Sequence, residues 1–453
     1  MERIGGERAG QTADIRKVAA ASFVGTTIEW YDFFLYGTAA ALVFNQLFFP
    51  NVSPLMGTLA AFATFGVGFF ARPVGGIVFG HYGDRIGRKT MLVLTLMIMG
   101  IATFIIGLLP GYESIGFWAP VLLVVMRLLQ GFGVGGEWGG AVLMAVEHSP
   151  ANRRGFFGSW AQMGVPAGLL LSTVIFSIFS RLPEEQFLAW GWRVPFLLSI
   201  VLIAVGLWVR LTILESPAFR RVQETQTEAR MPIIDVLRTY PKNVLLAMGM
   251  RISENGAFYI FTVFVLAYVT EQLGLSRDTA LNGVIIAAVI GIFAIPFWGW
   301  LSDRVGRRPI YLVGAGFSLL FAFPFFWIVD TGSAILIWLA IVLAVNIGHD
   351  AMYGPQAAYF SELFGTRVRY SGASLGYQLA SVLAGGLSPF IATALLAWAG
   401  GDPWPVALYM AAMAVISVVA VLLARETYQG DIYEDQPEER RLITEGPGEP
   451  RVQ

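Results

Sequence analysis

Long stretches without a single charge recur along this chain: residues 91–112, 155–180, 309–329, 370–401 and 403–424 contain no Asp, Glu, Lys or Arg. A helix needs about 20 mostly apolar residues to cross the hydrocarbon core of a bilayer. Reading Gly, Pro and charge clusters as punctuation, the pattern predicts twelve such helices, near 18–46, 57–81, 89–110, 118–147, 155–180, 190–213, 243–272, 279–302, 308–329, 333–361, 369–400 and 403–425. Lys and Arg gather in alternate connections, while the other set keeps only Arg181, Arg193 and Arg277. The positive-inside rule then places both termini in the cytoplasm. The expected organisation is a cytoplasmic N-tail (1–17), a six-helix bundle (18–213), a cytoplasmic linker (214–242), a second six-helix bundle (243–425) and a disordered C-tail (426–453).

Composition agrees with the pattern. Hydrophobic residues make up 56% of the chain and charged residues 13%, against roughly 25% charged in soluble domains. There are no cysteines, so disulfide frameworks and thiolate metal sites are excluded, and three histidines in no ligating spacing predict no metal. A net charge of −1 carries no information about partners, and no nucleic-acid partner is expected. The polar N-terminus has no apolar core before a small-residue cleavage site, so no signal peptide is expected. No cofactor motif and no nucleophile–base arrangement appears, which argues against an enzyme.

One basic motif occurs twice. Gly80-His81-Tyr82-Gly83-Asp84-Arg85-Ile86-Gly87-Arg88-Lys89 and Gly299-Trp300-Leu301-Ser302-Asp303-Arg304-Val305-Gly306-Arg307-Arg308 both read G-x-x-x-D-R-x-G-R-[KR], with their aspartates 219 residues apart. Each joins two apolar segments, so the chain is a duplicated bundle of the kind found in secondary transporters. A second pairing supports this: Glu147 precedes Arg153-Arg154-Gly155, and Glu362 precedes Arg367, Arg369 and Gly372. Acids add little to topology, so Asp84 and Asp303 are expected to accept hydrogen bonds from helix N-termini and from Arg154 or Arg369. That makes the set Gly80, Asp84, Arg85, Gly87, Arg88, Glu147, Arg154, Gly299, Asp303, Arg304, Gly306, Arg307, Glu362 and Arg369 a candidate cytoplasmic gate with two discrete arrangements.

The paired motif resembles the signature of the major facilitator superfamily. Glu29-Trp30-Tyr31-Asp32-Phe33-Phe34-Leu35-Tyr36-Gly37, Arg72-Pro73-Val74-Gly75-Gly76, the run Arg127 to Glu137, Gly191-Trp192-Arg193-Val194-Pro195-Phe196 and Arg369-Tyr370-Ser371-Gly372-Ala373-Ser374 look like its metabolite:proton symporter branch, which includes shikimate, α-ketoglutarate, citrate and proline/betaine permeases. The resemblance spans roughly residues 18 to 425. It implies an all-α, 6+6 helix fold with a central site, alternating access, proton-driven uptake and a monomeric working unit.

Ionisable residues inside the membrane cost at least ~2.5–3.5 kcal/mol each and so need a reason. Glu29, Asp32 and Tyr36 share one face of helix 1. Low-dielectric surroundings disfavour the charged form of a carboxylate, which suits Glu29 or Asp32 to carrying the coupled proton; a titration-silent structural pair is the alternative. Arg251, Glu254 and Asn255 share a face of helix 7, with Glu254 as a second candidate proton carrier, or else one side of a buried ion pair. Arg127, with Gln130 three positions on, could grip an anionic substrate or pair with the helix 1 acids, the role the family's helix 4 motif favours. Arg72 and Glu137 read as a structural ion pair. His349 and Asp350 step about 100° apart on helix 10, so both should not face the cavity; His349 with Tyr353 lines it in one reading and is a core histidine in the other. The expected cargo is a mono- or dicarboxylate, then a zwitterion. Drug/proton antiport ranks lower because Gly164-Val165-Pro166-Ala167-Gly168 lacks the Gly-Pro pair, and a nutrient sensor lower still because the tail is short.

Overall fold

A computed structural model of the protein describes residues 2–86, 88–135, 142, 145–146, 149–212, 232–365, 369–428 and 430. Twelve long helical segments follow one another, and the described residues contain no strand. They are α1 (Glu2–Leu42), α2 (Pro54–Ile86), α3 (Arg88–Leu108), α4 (Trp118–Val134), α5 (Ala151–Ser180), α6 (Glu184–Val209), α7 (Pro241–Gln272), α8 (Arg277–Val305), α9 (Arg307–Val329), α10 (Ala334–Glu362), α11 (Gly372–Trp398) and α12 (Trp404–Leu423). Among the described residues, nine of these helices are long and apolar enough to cross a membrane, and α3 and α4 contribute shorter apolar segments. In lipid every backbone polar group must be satisfied within the protein, which a helix does by itself.

The helices fall close to the predicted ones, with one clear difference. α1 is helical from Glu2, where a polar tail was expected up to residue 17; no proline interrupts that stretch. Most of the predicted end of α4, including Glu137 and Glu147, lies outside the described residues. Local chemistry sets the ends of α8. The Ser276 side chain accepts the Thr279 N–H at 3.2 Å as an N-cap, and Gly306 closes the helix at φ 113°, a conformation L side chains rarely adopt.

Packing repeats with a period of six helices. α1 lies on α5 as α7 lies on α11; α2 on α4 as α8 on α10; α3 on α6 as α9 on α12. The halves meet the same way twice, α2 against α11 and α8 against α5. Lipid tails offer no hydrophobic drive for helix association, so close backbone approach takes its place. At Gly131 of α4, an added Cβ would come within 1.8 Å of the Gly68 carbonyl oxygen of α2. Outward-facing Phe293, Leu320, Trp327 and Trp398 are exposed as lipid contacts would be.

Candidate functional site

In the second half, α7, α9, α10 and α11 bring a continuous polar network into an apolar interior. Arg251 and Glu254, one turn apart on α7, pair at 2.7 Å. Arg251 also donates to Gln356 at 2.8 Å and to Ser381 at 3.2 Å, and its guanidinium lies 3.2 Å from the Tyr377 ring centroid. Gln356 donates to Glu254 at 3.0 Å and to the Tyr311 hydroxyl at 2.9 Å. His349 bridges two acids, with Nε2 3.1 Å from Glu254 and Nδ1 2.8 Å from Asp350; Asn346 then donates to Asp350 at 2.8 Å. Both ring nitrogens face carboxylate oxygens. That is satisfied by an imidazolium, or by a neutral ring with one acid protonated. Either way, this unit holds one proton more than a neutral histidine with two carboxylates.

The first half is built differently. Arg127 of α4 donates to the Phe65 carbonyl at 3.2 Å and to Gln130 at 3.0 Å, and its guanidinium lies 4.0 Å and 4.3 Å from the ring centroids of Phe33 and Tyr36. Gln130 donates to Thr103 of α3 at 2.7 Å, and the Thr103 hydroxyl donates to the Met99 carbonyl at 3.0 Å. Arg127 spends these donors within α2 and α4, and no ion pair joins it to Asp32. One Asp32 oxygen and one Arg127 amino group are buried without a partner. The Tyr36 hydroxyl donates to Thr64 at 2.7 Å.

Between the halves lies a small cleft, part of it open to solvent. Glu29, Arg72, Gln162, Tyr353, Tyr377 and Gln378 are among the residues that line it. Beyond it the aromatic rings of Phe33, Phe65, Phe69 and Tyr259 interlock, 5.0–6.3 Å apart, from α1 and α2 across to α7.

At the end that carries the second motif, Asp303 accepts the backbone N–H groups of Gly155 and Phe156 at 2.8 and 2.9 Å. Its carboxylate thus caps the start of the α5 helix in the other half. Arg307 donates to Asp303 at 2.7 Å and grips Glu362 with Nε and Nη2 at 3.2 and 3.0 Å. Glu426, beyond α12, accepts the N–H groups of Arg307 and Arg308 at 2.9 and 3.0 Å. Contacts also cross at the opposite end. Arg277 donates to both Glu184 oxygens at 2.8 and 2.9 Å, and Glu271 accepts from Asn45 and Thr58 at 3.0 Å.

Several expectations need correction. His349 does not line the cleft, whereas Tyr353 does; His349 instead contacts Asp350 at 2.8 Å, where the helix opens into a wide π-type turn over Ala344–His349. Arg154 and Arg369 do not bond to Asp303; Arg154 donates to the Gly430 carbonyl and Arg369 to those of Ser361 and Phe364, while Arg307 of the motif itself takes the aspartate. Asn255 shares the α7 face but stands beside Gly385, its carbonyl oxygen without a hydrogen bond. Arg304 lies over the Trp300 ring, outside the Asp303 cluster. Side chains of Gly80, Asp84, Arg85, Gly87 and Arg88, and all of Glu147, lie outside the described residues. Gln356, Thr103 and Ser381 were missed. Gln356 carried a signal, since 349, 353 and 356 fall on one helical face.

Comparison with known proteins matches this architecture. A family model described as Major Facilitator Superfamily covers residues 22–389. The chain is 49% identical to the shikimate transporter of Escherichia coli K12 over 91% of this chain and 95% of that protein. It is 42% identical to the inner membrane metabolite transport protein YhjE of the same strain, covering 91% and 94%, and 35% identical to its proline/betaine transporter, covering 91% and 84%. Among solved structures, the proton:xylose symporter XylE bound to 6-bromo-6-deoxy-D-glucose superposes with a TM-score of 0.73 at 19% identity, over 96% of this chain and 99% of that one; at that identity the likeness concerns the fold.

Proposed function

The chain belongs to the major facilitator superfamily, a multi-pass membrane transporter and not an enzyme, and we propose that it is a proton-coupled importer of a small organic acid working by alternating access. The observation that carries this reading is Asp32: a carboxylate buried in α1, with one oxygen unpartnered and no ion pair to a described cation. Protonation of Asp32 from outside neutralises a charge that the surrounding rings cannot solvate. Substrate then enters, the halves rock about the cleft, and both cargoes leave inside. The His349 unit, with Glu254 and Asp350, is a second place where a proton can reside.

Both motif loops face the cytoplasm in this reading, by the positive-inside rule. The Asp303 cap on α5 is then part of the inner gate, and the Glu184–Arg277 and Glu271 contacts belong to the outer one. Names of the similar proteins support an acid or a zwitterion as cargo. The acid is favoured because Glu254 and Asp350, the acids a cationic group would seek, are already engaged by Arg251, His349 and Asn346.

The test is uptake into proteoliposomes of labelled shikimate, citrate, α-ketoglutarate, proline and betaine, with and without an inward proton gradient. Gradient-dependent accumulation of an acid is expected. Accumulation of proline or betaine alone moves the cargo to zwitterions, and export driven by the reversed gradient replaces the importer with an antiporter.

A further inference from the structure

The cleft-lining Arg72 is engaged unlike the other buried arginines. It sits on α2 with 1% of its surface exposed, its guanidinium 4.2 Å from the ring centroids of both Phe33 and Phe69 and 5.4 Å from that of Trp30. Its Nε and Nη2 are both buried without a hydrogen-bond acceptor, and among the described residues no other buried arginine lacks partners at both atoms. Those two N–H groups form one edge of the guanidinium, the fork that receives a carboxylate side-on. The same edge of Arg307 holds the Glu362 carboxylate in this very molecule, at 3.2 and 3.0 Å. Arg251, across the cleft, is by contrast taken up by Glu254, Gln356 and Ser381.

The other lining groups indicate what accompanies the carboxylate. Gln162 and Gln378 each spend their amide N–H on a backbone carbonyl, of Tyr353 and Gly135 respectively, and each leaves its side-chain oxygen buried without a donor. Both oxygens can accept from ligand hydroxyl groups. Tyr353, Tyr377 and Gln378 of the second half line the same cleft as Arg72, so a ligand held there meets both halves.

We propose that Arg72 is the substrate-carboxylate receptor, and that with Gln162 and Gln378 it selects a small hydroxylated monocarboxylic acid. This deepens the importer reading and rests on it. A purely structural Arg72, a cation wedged between rings, is the competing account. Lysine separates the two, because it keeps the charge and the ring contact but has no planar fork.

Binding of shikimate and of its carboxamide, as probes, is measured on the purified full-length protein, wild type, Arg72→Lys and Arg72→Gln, alongside proton-driven shikimate uptake by the wild type. The wild type is expected to prefer the acid. Arg72→Lys and Arg72→Gln each weaken acid binding by roughly 30- to 100-fold, the loss of a two-donor charge-assisted contact, and bring the acid-to-amide ratio near one. A folded variant that keeps both its affinity, within about threefold, and its preference for the acid overturns the assignment of Arg72 alone. Should Arg72→Gln fail to fold, Arg72→Lys decides. Acid binding lost in the variants, with wild-type uptake indifferent to the proton gradient, supports Arg72 and overturns proton coupling instead. A wild type that binds neither probe overturns the selectivity proposed here.

Discussion

The two halves of the molecule hold their buried charges in opposite ways. In the second, Arg251, Glu254, Gln356, His349 and Asp350 close a network in which each charged group meets another at 2.7–3.1 Å. In the first, Asp32, Arg72 and Arg127 are all buried, each keeps at least one polar atom without a partner, and no ion pair joins any two of them. A satisfied network holds one geometry. Unsatisfied charges in a low-dielectric interior are costly and persist where a proton or a substrate completes them. On the proposed reading, the second half is the frame and the first carries the groups that a proton and a substrate complete.

The comparison breaks most readily at Glu254. Removing one partner of a buried pair costs about 3–5 kcal/mol because the other charge is left alone. Glu254→Gln leaves Arg251 without its counter-ion and His349 with Asp350 as its remaining acid, so a large fall in thermal stability of the detergent-purified protein is expected. Arg251→Gln combined with Glu254→Gln should recover part of it. An unchanged melting temperature for Glu254→Gln would mean that this network is no frame.

Asp32→Asn should do the reverse. It replaces an uncompensated carboxylate by a neutral isostere, so stability is kept or slightly raised. Proton-driven accumulation in proteoliposomes, however, should fall by at least about tenfold, while substrate exchange without a gradient continues. Accumulation at the wild-type level would move the coupling proton elsewhere, with the His349 unit as the next place to look.

A smaller effect is expected at the gate. Asp303→Asn keeps the shape but loses the charge that caps α5 and receives Arg307. Helix-end and charge-assisted contacts of this kind contribute about 1–2 kcal/mol. Turnover should therefore change by about tenfold, with equilibrium substrate binding moved far less. Equal shifts in both would place Asp303 in the binding site rather than the gate.

What the sequence disclosed follows the same line. Helices were legible because a bilayer demands long apolar runs, and the duplicated motif exposed the repeat. Pairs within one helix, such as Arg251 with Glu254, were legible because 3.6 residues per turn fixes who faces whom. Where that period changes, as in the wide turn over Ala344–His349, the sequence did not disclose that His349 meets Asp350 at 2.8 Å. Arg72 was read as half of an ion pair because sequence shows a charge but not whether its donors are met. Thr103 carries no charge at all, and its contact with Gln130 depends on how α3 and α4 come together.

The weakest effect should come from the end opposite the second motif. There Glu184 meets Arg277 with good geometry, yet the side chains are 57% and 22% exposed. Solvent screening limits such pairs to about 0–1 kcal/mol, whereas Asp303 and Arg307 are 5% and 0% exposed. Glu184→Gln should thus alter substrate exchange by less than about fivefold, and the difference from wild type should shrink toward nothing at 1 M salt, where the screening length is about 3 Å. The measurement is exchange rate in proteoliposomes at low and high salt. If Glu184→Gln slowed exchange more than Asp303→Asn, and did so at both salt levels, the energy of closure would reside at the exposed end, and burial would be the wrong guide to which contacts gate this protein.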